Sequence, residues 1–436
     1  MKYLFSLFIV LFFVSCSATR YDLVDVDKDD ISDLQKFPQN SLAYLKKYKV
    51  DGLQTSAKDY EKRYFSVWNE IPKDTKDEAM WPFESFKYGE MYGENLKLID
   101  ESIFKDIKNN SNFDKYKTLN KNAITLRHTD IRAFPTSKPM FKKPSIAGEG
   151  FPFDYMQNST VSANKPIMIS HYSKDKIWAF IFTSFTSGWV KTKDIITIDK
   201  KYTNMWQKAK QVFITKDNIP LYDENGEFLF ESRVGMMLAL IREYKGSYRV
   251  LTVSSYKNHQ PNYHTTKLSK DISVKGIMKY SKNNIQKIFD EVSKSKYGWG
   301  GMYGERDCSS TLRDMYAPFG LWLPRNSYQQ SVVGKVISLE NLDDKQKLEL
   351  IKKEAKPFKT LLYKQGHILL YIGVVDNEVI ALHNVWGIKT KQNSLEGRIV
   401  IGKTVYSSLR LGAEQKYYDK EAEILGSLKS MNIIAN

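Results

Sequence analysis

The sequence predicts an α+β protein: a helical N-terminal region, two small β-barrels, and a C-terminal domain in which helices pack on a sheet. Three observations carry this. The chain has 436 residues, more than one hydrophobic core fills, and its 42% hydrophobic and 13% aromatic content supplies material for several. From about residue 121 to 275, short β-rich runs alternate with Gly, Pro, Asn and Ser, the spacing of small-barrel strands. After Lys275, Ile285, Ile288, Phe289 and Val292 form an i, i+3, i+4, i+7 stripe, which is helical.

The chain opens as an export signal. Lys2 supplies a positive charge, and Tyr3 to Val14 is apolar except for Ser6. Roughly a dozen residues cannot cross a bilayer, which needs about 20, but they suit a secretory signal over residues 1–15. Val14-Ser15-Cys16 followed by Ser17 resembles a bacterial lipobox. The resemblance implies that Cys16 is lipidated and becomes the mature N-terminus, anchored to the outer membrane and facing the periplasm in a Gram-negative host. An ordinary signal peptide containing a cysteine is the alternative. No later stretch is long and apolar enough for a transmembrane helix.

Residues 16–120 read as a polar tether followed by a helical clip, with helices expected over 41–48 and 93–109. Tyr60, Tyr64, Phe65, Trp68, Trp81, Phe83, Phe86 and Tyr88 form an aromatic cluster heavy enough to pack on a neighbouring domain. A carbohydrate-binding platform is the sharper alternative. Residues 121–198 form the first barrel, with strands expected at 123–126, 167–171, 178–184 and 188–190. Residues 205–275 form the second, with strands at 211–215, 235–244 and 248–254 and a turn at Lys245-Gly246. His259 and His264 are expected in a polar loop of that second barrel. Ser187-Gly188-Trp189-Val190, with a short turn at 192–194, resembles bacterial SH3-like domains. Residues 276–436 complete the chain.

The chain has two cysteines. With Cys16 lipidated, Cys308 has no partner in a compartment where disulfides form. A lone thiol there is either a buried core residue or a reactive group. Its neighbours favour the second. Asp307-Cys308-Ser309-Ser310-Thr311 begins a short helix whose face carries Leu312, Met315 and Tyr316 and which ends near Pro318. A helix N-terminus favours a thiolate and presents N–H groups to an oxyanion. Gly300, Gly301 and Gly304 allow close approach by a backbone or a substrate.

A thiol nucleophile needs a base, and histidine is the usual one. Six are available; His128, His171, His259 and His264 fall in the barrels. His367 opens an apolar strand, Asp376-Asn377 makes a turn, and His383 lies on the returning strand. One hairpin therefore places both side by side, His367 toward the thiol and His383 orienting it. No metal-ligand cluster accompanies them, and no cofactor is expected.

Tyr297-Gly298-Trp299-Gly300-Gly301, Asp307-Cys308-Ser309, the segment Phe319 to Ser327 with Gln329-Gln330, and Gly366-His367 resemble the NlpC-type cell-wall cysteine peptidases. The resemblance spans about Tyr297 to Leu411. It implies a papain-like C-terminal domain with Cys308 as nucleophile, His367 as base, His383 as orienter and Tyr297 at the oxyanion hole. It further implies cleavage of peptidoglycan stems between γ-D-glutamate and the diamino acid. In multidomain relatives, the residues matching Asp307, Ser309 and Ser327 recognise a free N-terminal L-alanine amine; Tyr155 of the first barrel is a candidate wall. The sequence departs in reading Asp-Cys-Ser-Ser, in lacking Pro-Gly-Asp before the histidine strand, where Lys356 to Thr360 and Lys364-Gln365 stand, and in its long charged stretch from Leu339 to Lys356.

Asp307 disfavours a neighbouring thiolate, so its presence implies a different role. It holds a substrate cation, caps the helix, or does both. The net charge of +16 would suggest nucleic acid. Export excludes that, and the lysines are spread along the chain as a solvated surface. The expected partners are stem peptides and, through the anchor, the membrane; the chain is expected to act as a monomer. A non-catalytic wall-binding lipoprotein and an acyl- or amidotransferase on the same fold are the competing readings.

Overall fold

The computed structural model describes residues 31–50, 52–255 and 259–435. Cys16, the signal at 1–15 and the tether at 17–30 lie outside the described residues. The fold class is the one the sequence predicts: a helical N-terminal region, two SH3-like domains, and a mixed helix-and-sheet C-terminal domain. No helix among the described residues is long and apolar enough to cross a membrane.

The N-terminal region is a strap across the other domains. Its first helices, Ser32–Lys36 and Ser41–Leu45, lie on the C-terminal domain. Asp33 Oδ2 accepts from Ser408 N and Oγ, both at 2.8 Å, and Tyr44 stacks on Tyr406 with ring centroids 5.1 Å apart. The next helices, Ala57–Tyr64 and Ser66–Asn69, enter the barrels. Tyr60, Tyr64, Phe65 and Trp68 are buried with Ile124, Trp206 and Phe213, and Trp68 Nε1 donates to Ala123 O at 2.9 Å. Burying each large ring contributes about 1.5–3 kcal/mol, so these four pack a core and cannot form an exposed sugar platform. The helix expected over 93–109 begins only at Glu101. Before it, Tyr92 exchanges backbone hydrogen bonds with Phe141 at 2.7 and 2.8 Å, and this long-range pairing overrides the local helical pattern.

The first barrel is a seven-stranded antiparallel sheet. The sequence reading missed three of its strands, Thr129–Arg132, Gln157–Val161 and Ile195–Thr197. Gln-Asn-Ser-Thr-Val is mostly polar, yet Gln157, Ser159 and Val161 alternate inward, which is a strand's period of two. The second barrel combines a five-stranded and a two-stranded sheet. His264 is not in a loop: it sits in strand Pro261–Ser269, buried, with Nδ1 3.3 Å from Asp223 Oδ2. Pairing with the long strand Ser247–Ser255 carries this polar segment into the sheet.

The C-terminal domain has a six-stranded sheet containing Thr360–Lys364, His367–Val375, Glu378–Gln392 and Leu395–Ser408. Side-chain alternation gives it two apolar faces. Leu361, Ile368, Leu370, Ile380 and Leu382 meet the helices Lys282–Val292 and Cys308–Tyr316. Leu362, Leu369, Tyr371, Val379 and Ala381 meet Leu339 and Ile351. The long charged stretch thus becomes useful: Asp343 caps a helix, Asp344–Glu354, that covers the second face. Arg306 joins this domain to the second barrel, pairing with Asp217 at 2.5 Å and with Asp314 at 2.8 Å.

Candidate active site

Cys308 is the first residue of helix Cys308–Tyr316 and is 8% exposed. Asp307 is the N-cap, its side chain accepting from Ser310 N at 2.8 Å, while Ser310 Oγ accepts from Asp307 N at 2.9 Å. The unusual Ser310 therefore completes a reciprocal cap. The helix packs on strand His367–Val375, and the backbone N–H of Ile368, next to His367, opposes in part the upward push of burial on the Cys308 thiol.

The hairpin turn explains the histidine pair. Asp376 and Asn377 both take positive φ, 48° and 67°, which suits a two-residue hairpin. On the two strands, His367 Nε2 lies 2.8 Å from His383 Nδ1, and His383 Nε2 lies 3.0 Å from Ser407 Oγ. Proton positions follow from the end of this chain. Ser407 Oγ donates to Ser408 O at 2.9 Å, so it must accept from His383 Nε2–H. His383 is 1% exposed, and burial, then His367 and Lys364, hold it neutral. Its Nδ1 is then an acceptor, and His367 Nε2 carries the proton. That leaves His367 Nδ1 as the basic nitrogen, an assignment made from the network.

Electrostatics keep this pair uncharged at rest. Burial pushes the Cys308 thiol up to about 12, with Asp307 adding to the effect. Burial, then Lys364, pushes His367 down to about 3. The helix N-terminus predicts a thiolate, but here desolvation and the adjacent carboxylate outweigh it.

Sequence reasoning missed Arg325, which organises the site. Its guanidinium is buried and forms a fork on Asp307, Nη2 to Oδ2 at 2.6 Å and Nη1 to Oδ1 at 3.1 Å. It also donates to Ser309 Oγ at 3.0 Å and, from the first barrel, Ser159 Oγ at 2.7 Å. Burial alone would raise the Asp307 carboxyl, but Arg325 and the cap hold it below the usual range. Only its place in the Phe319 to Ser327 segment signalled Arg325, and that says nothing about Ser159.

The first barrel forms one wall. Gly300 and Gly301 have positive φ, and a Cβ on them would meet Gln157 O at 2.5 Å and Thr160 Oγ1 at 2.4 Å. These glycines let the barrel's backbone approach, one of the two roles the sequence allowed. Trp299 Nε1 donates to Asp154 O at 2.9 Å. The resulting cleft, about 1100 Å³, is lined by Cys308, Tyr297, Asp307, Ser309, Ser327 and Tyr155 among others. Every substrate residue named from the sequence is thus in one place. Tyr155 Oη donates to Glu149 at 2.7 Å. Tyr297 and Gly366 line this cleft and also a second cavity that contains His367.

Comparison with known proteins agrees with the fold. Residues 294–406 match the NlpC/P60 family, 139–191 an SH3 domain of SH3b1 type, 199–245 an SH3 domain of SH3b2 type, and 5–116 the N-terminal NlpC/P60 stabilising domain. A solved NlpC/P60 endopeptidase from Photobacterium damselae subsp. piscicida superimposes with TM-score 0.77 at 24% identity, covering 91% of this chain and 97% of its own. An NlpC/P60 family protein from Bacillus cereus gives TM-score 0.49 at 15% identity, covering 72% and 100%. Curated proteins give no match. The chain carries an NlpC/P60 peptidase-family domain preceded by two SH3b domains.

Proposed function

We propose that this protein is a cysteine peptidase that hydrolyses peptidoglycan stem peptides at the bond between γ-D-glutamate and the diamino acid. The observation that carries the reading is a helix-start thiol packed against the strand that opens with His367, whose ring is held by His383 and Ser407. His367 takes the Cys308 proton as sulfur attacks the carbonyl, and returns it to the leaving amine. The acyl-enzyme is then released by water. His383 and Ser407 fix the ring, and the helix N–H groups with Tyr297 stabilise the oxyanion.

The cleft on the Cys308 side suits a free N-terminal amine. Its charged lining is Asp74, Glu78 and Asp307 against Lys142 and Arg325, an acidic excess of one. Among the described residues, Asp307 Oδ2 accepts a hydrogen bond only from Arg325 Nη2, which leaves it a lone pair for an ammonium. L-Ala-γ-D-Glu-diaminopimelate should be cut at least about tenfold faster than its N-acetylated form, the worth of one charge-assisted contact. Equal rates by product chromatography would show that the amine is not read and that Asp307 serves the helix and Arg325 alone.

Lipid anchoring at Cys16 belongs to the same reading, on the strength of Val14-Ser15-Cys16. It would hold the enzyme at the envelope where stems are released. Intact-mass analysis of the mature protein should find an acylated Cys16 at its N-terminus; an unmodified terminus elsewhere would remove the anchor.

A further inference from the structure

The second cavity, of about 360 Å³, lies beyond His367 and is not accounted for by the amine-binding cleft. Its position is informative. Cys308 borders the first cleft and His367 the second, with Tyr297 and Gly366 bordering both. A peptidase base returns its proton to the leaving amine, so the leaving half of a substrate must lie on the His367 side.

The cavity is basic. Lys364, Lys389 and Arg398 line it against one acid, Asp419. Lys389 is already neutralised, 2.6 Å from Glu396 and 3.5 Å from Asp419. The other two form no ion pair among the described residues, although the Glu149 carboxylate acts on Arg398 from beyond that distance. Among the described residues, Lys364 Nζ donates only to Ala422 O at 3.1 Å, and Arg398 Nη2 only to Ile146 O and Glu149 O at 3.4 and 3.3 Å. Among the described residues, no carboxylate lies within ion-pair distance of either. Lys364 sits opposite His367 in the strand register, and Arg398 opposite Lys389. Trp386, on the cavity wall, has a buried Nε1–H without an acceptor. Two half-buried cations without an ion pair and a donor without an acceptor thus share one cavity.

We propose that this cavity is the subsite for the leaving half of the substrate, where Lys364 and Arg398 hold the side-chain carboxylate of a diamino diacid. This rests on the peptidase reading above. The two cavities then match the two ends of one ligand: an acidic excess toward the free amine, a basic excess toward the leaving carboxylates. A stem with lysine in the third place offers a bare ammonium there and is disfavoured by the same charges.

The test compares three peptides, L-Ala-γ-D-Glu-meso-diaminopimelate, its side-chain carboxamide, and L-Ala-γ-D-Glu-L-Lys, on the wild-type protein and on Lys364→Met and Arg398→Met. The wild type should prefer the diacid over the amide and the lysine peptide by about tenfold or more in kcat/KM, the size of a charge-assisted contact. Either variant should shrink that ratio toward one. Equal wild-type rates, or a ratio untouched by both variants, would overturn the subsite. Calorimetry with free meso-diaminopimelate and the Cys308→Ala protein separates the subsite from the reaction. Binding that Lys364→Met weakens supports the subsite even if no peptide is cut, whereas absence of turnover on all three strikes the peptidase reading. No binding to Cys308→Ala overturns the subsite. Melting curves exclude misfolded variants.

Discussion

Replacing Cys308 by alanine should lower stem-peptide cleavage by at least about a thousandfold without loss of fold, because the nucleophile is the group on which the other residues act. His367→Ala should cost nearly as much, and the double variant little more than either alone, since nucleophile and base act as a unit. His383→Asn should cost less, about 10–100-fold, because it disturbs ring orientation and tautomer without removing the base. The resting electrostatics add a pH signature. A thiol whose pKa is pushed to about 12 is ionised at pH 7 in roughly one molecule in 10⁵. An imidazole held at about 3 is already neutral there. On the proposed mechanism the resting site therefore holds a thiol and a neutral imidazole, with the proton moving as substrate is attacked. Iodoacetamide alkylation of the free protein should keep rising with pH through 9. A plateau near neutrality would reveal a preformed thiolate–imidazolium pair, and activity retained by Cys308→Ala would reject the mechanism.

Arg325→Leu should destabilise the protein by about 3–5 kcal/mol, the usual cost of leaving a buried charge unpaired. The guanidinium makes its four contacts with Asp307, Ser309 and the first-barrel Ser159 in one plane of donors, and lysine cannot reproduce that fork. Loss of Arg325 also exposes Cys308 to the unbalanced Asp307 charge, raising the thiol further, so activity should fall with stability. Asp307→Asn retains an acceptor for the cap. Combined with Arg325→Leu, it should recover much of the stability lost, because no charge is then stranded. Chemical denaturation checks both. If the single variant melts like wild type, the pair does not hold the barrel to the site.

The coarse architecture, and the candidate residues that the fold gathers around one cleft and its neighbour, were legible in the chain before it folds. Reactive types are scarce here, two cysteines and six histidines, so a helix start around one cysteine and a hairpin around two histidines left few alternatives. Both are local patterns, the helix start set by near neighbours and the two histidines lying 16 positions apart. The barrels were legible for the same reason, through short runs and turns. Strand Gln157–Val161 was not, because its polar residues are buried by partners elsewhere.

How the site is powered depends on contacts between distant residues. Arg325 meets Ser159 across 166 positions, and His383 meets Ser407 across 24; no local pattern encodes either contact. Thiolate against thiol was likewise a tertiary question. The helix dipole is written in the chain, whereas the desolvation that outweighs it exists only once the cleft is assembled. The basic cavity beyond His367 has the same origin. Lys364 and Arg398 are ordinary lysine and arginine in the sequence, and the common role proposed for them arises only because two hairpins and the Ile146–Glu149 segment bring them to one cavity with no ion pair among the described residues.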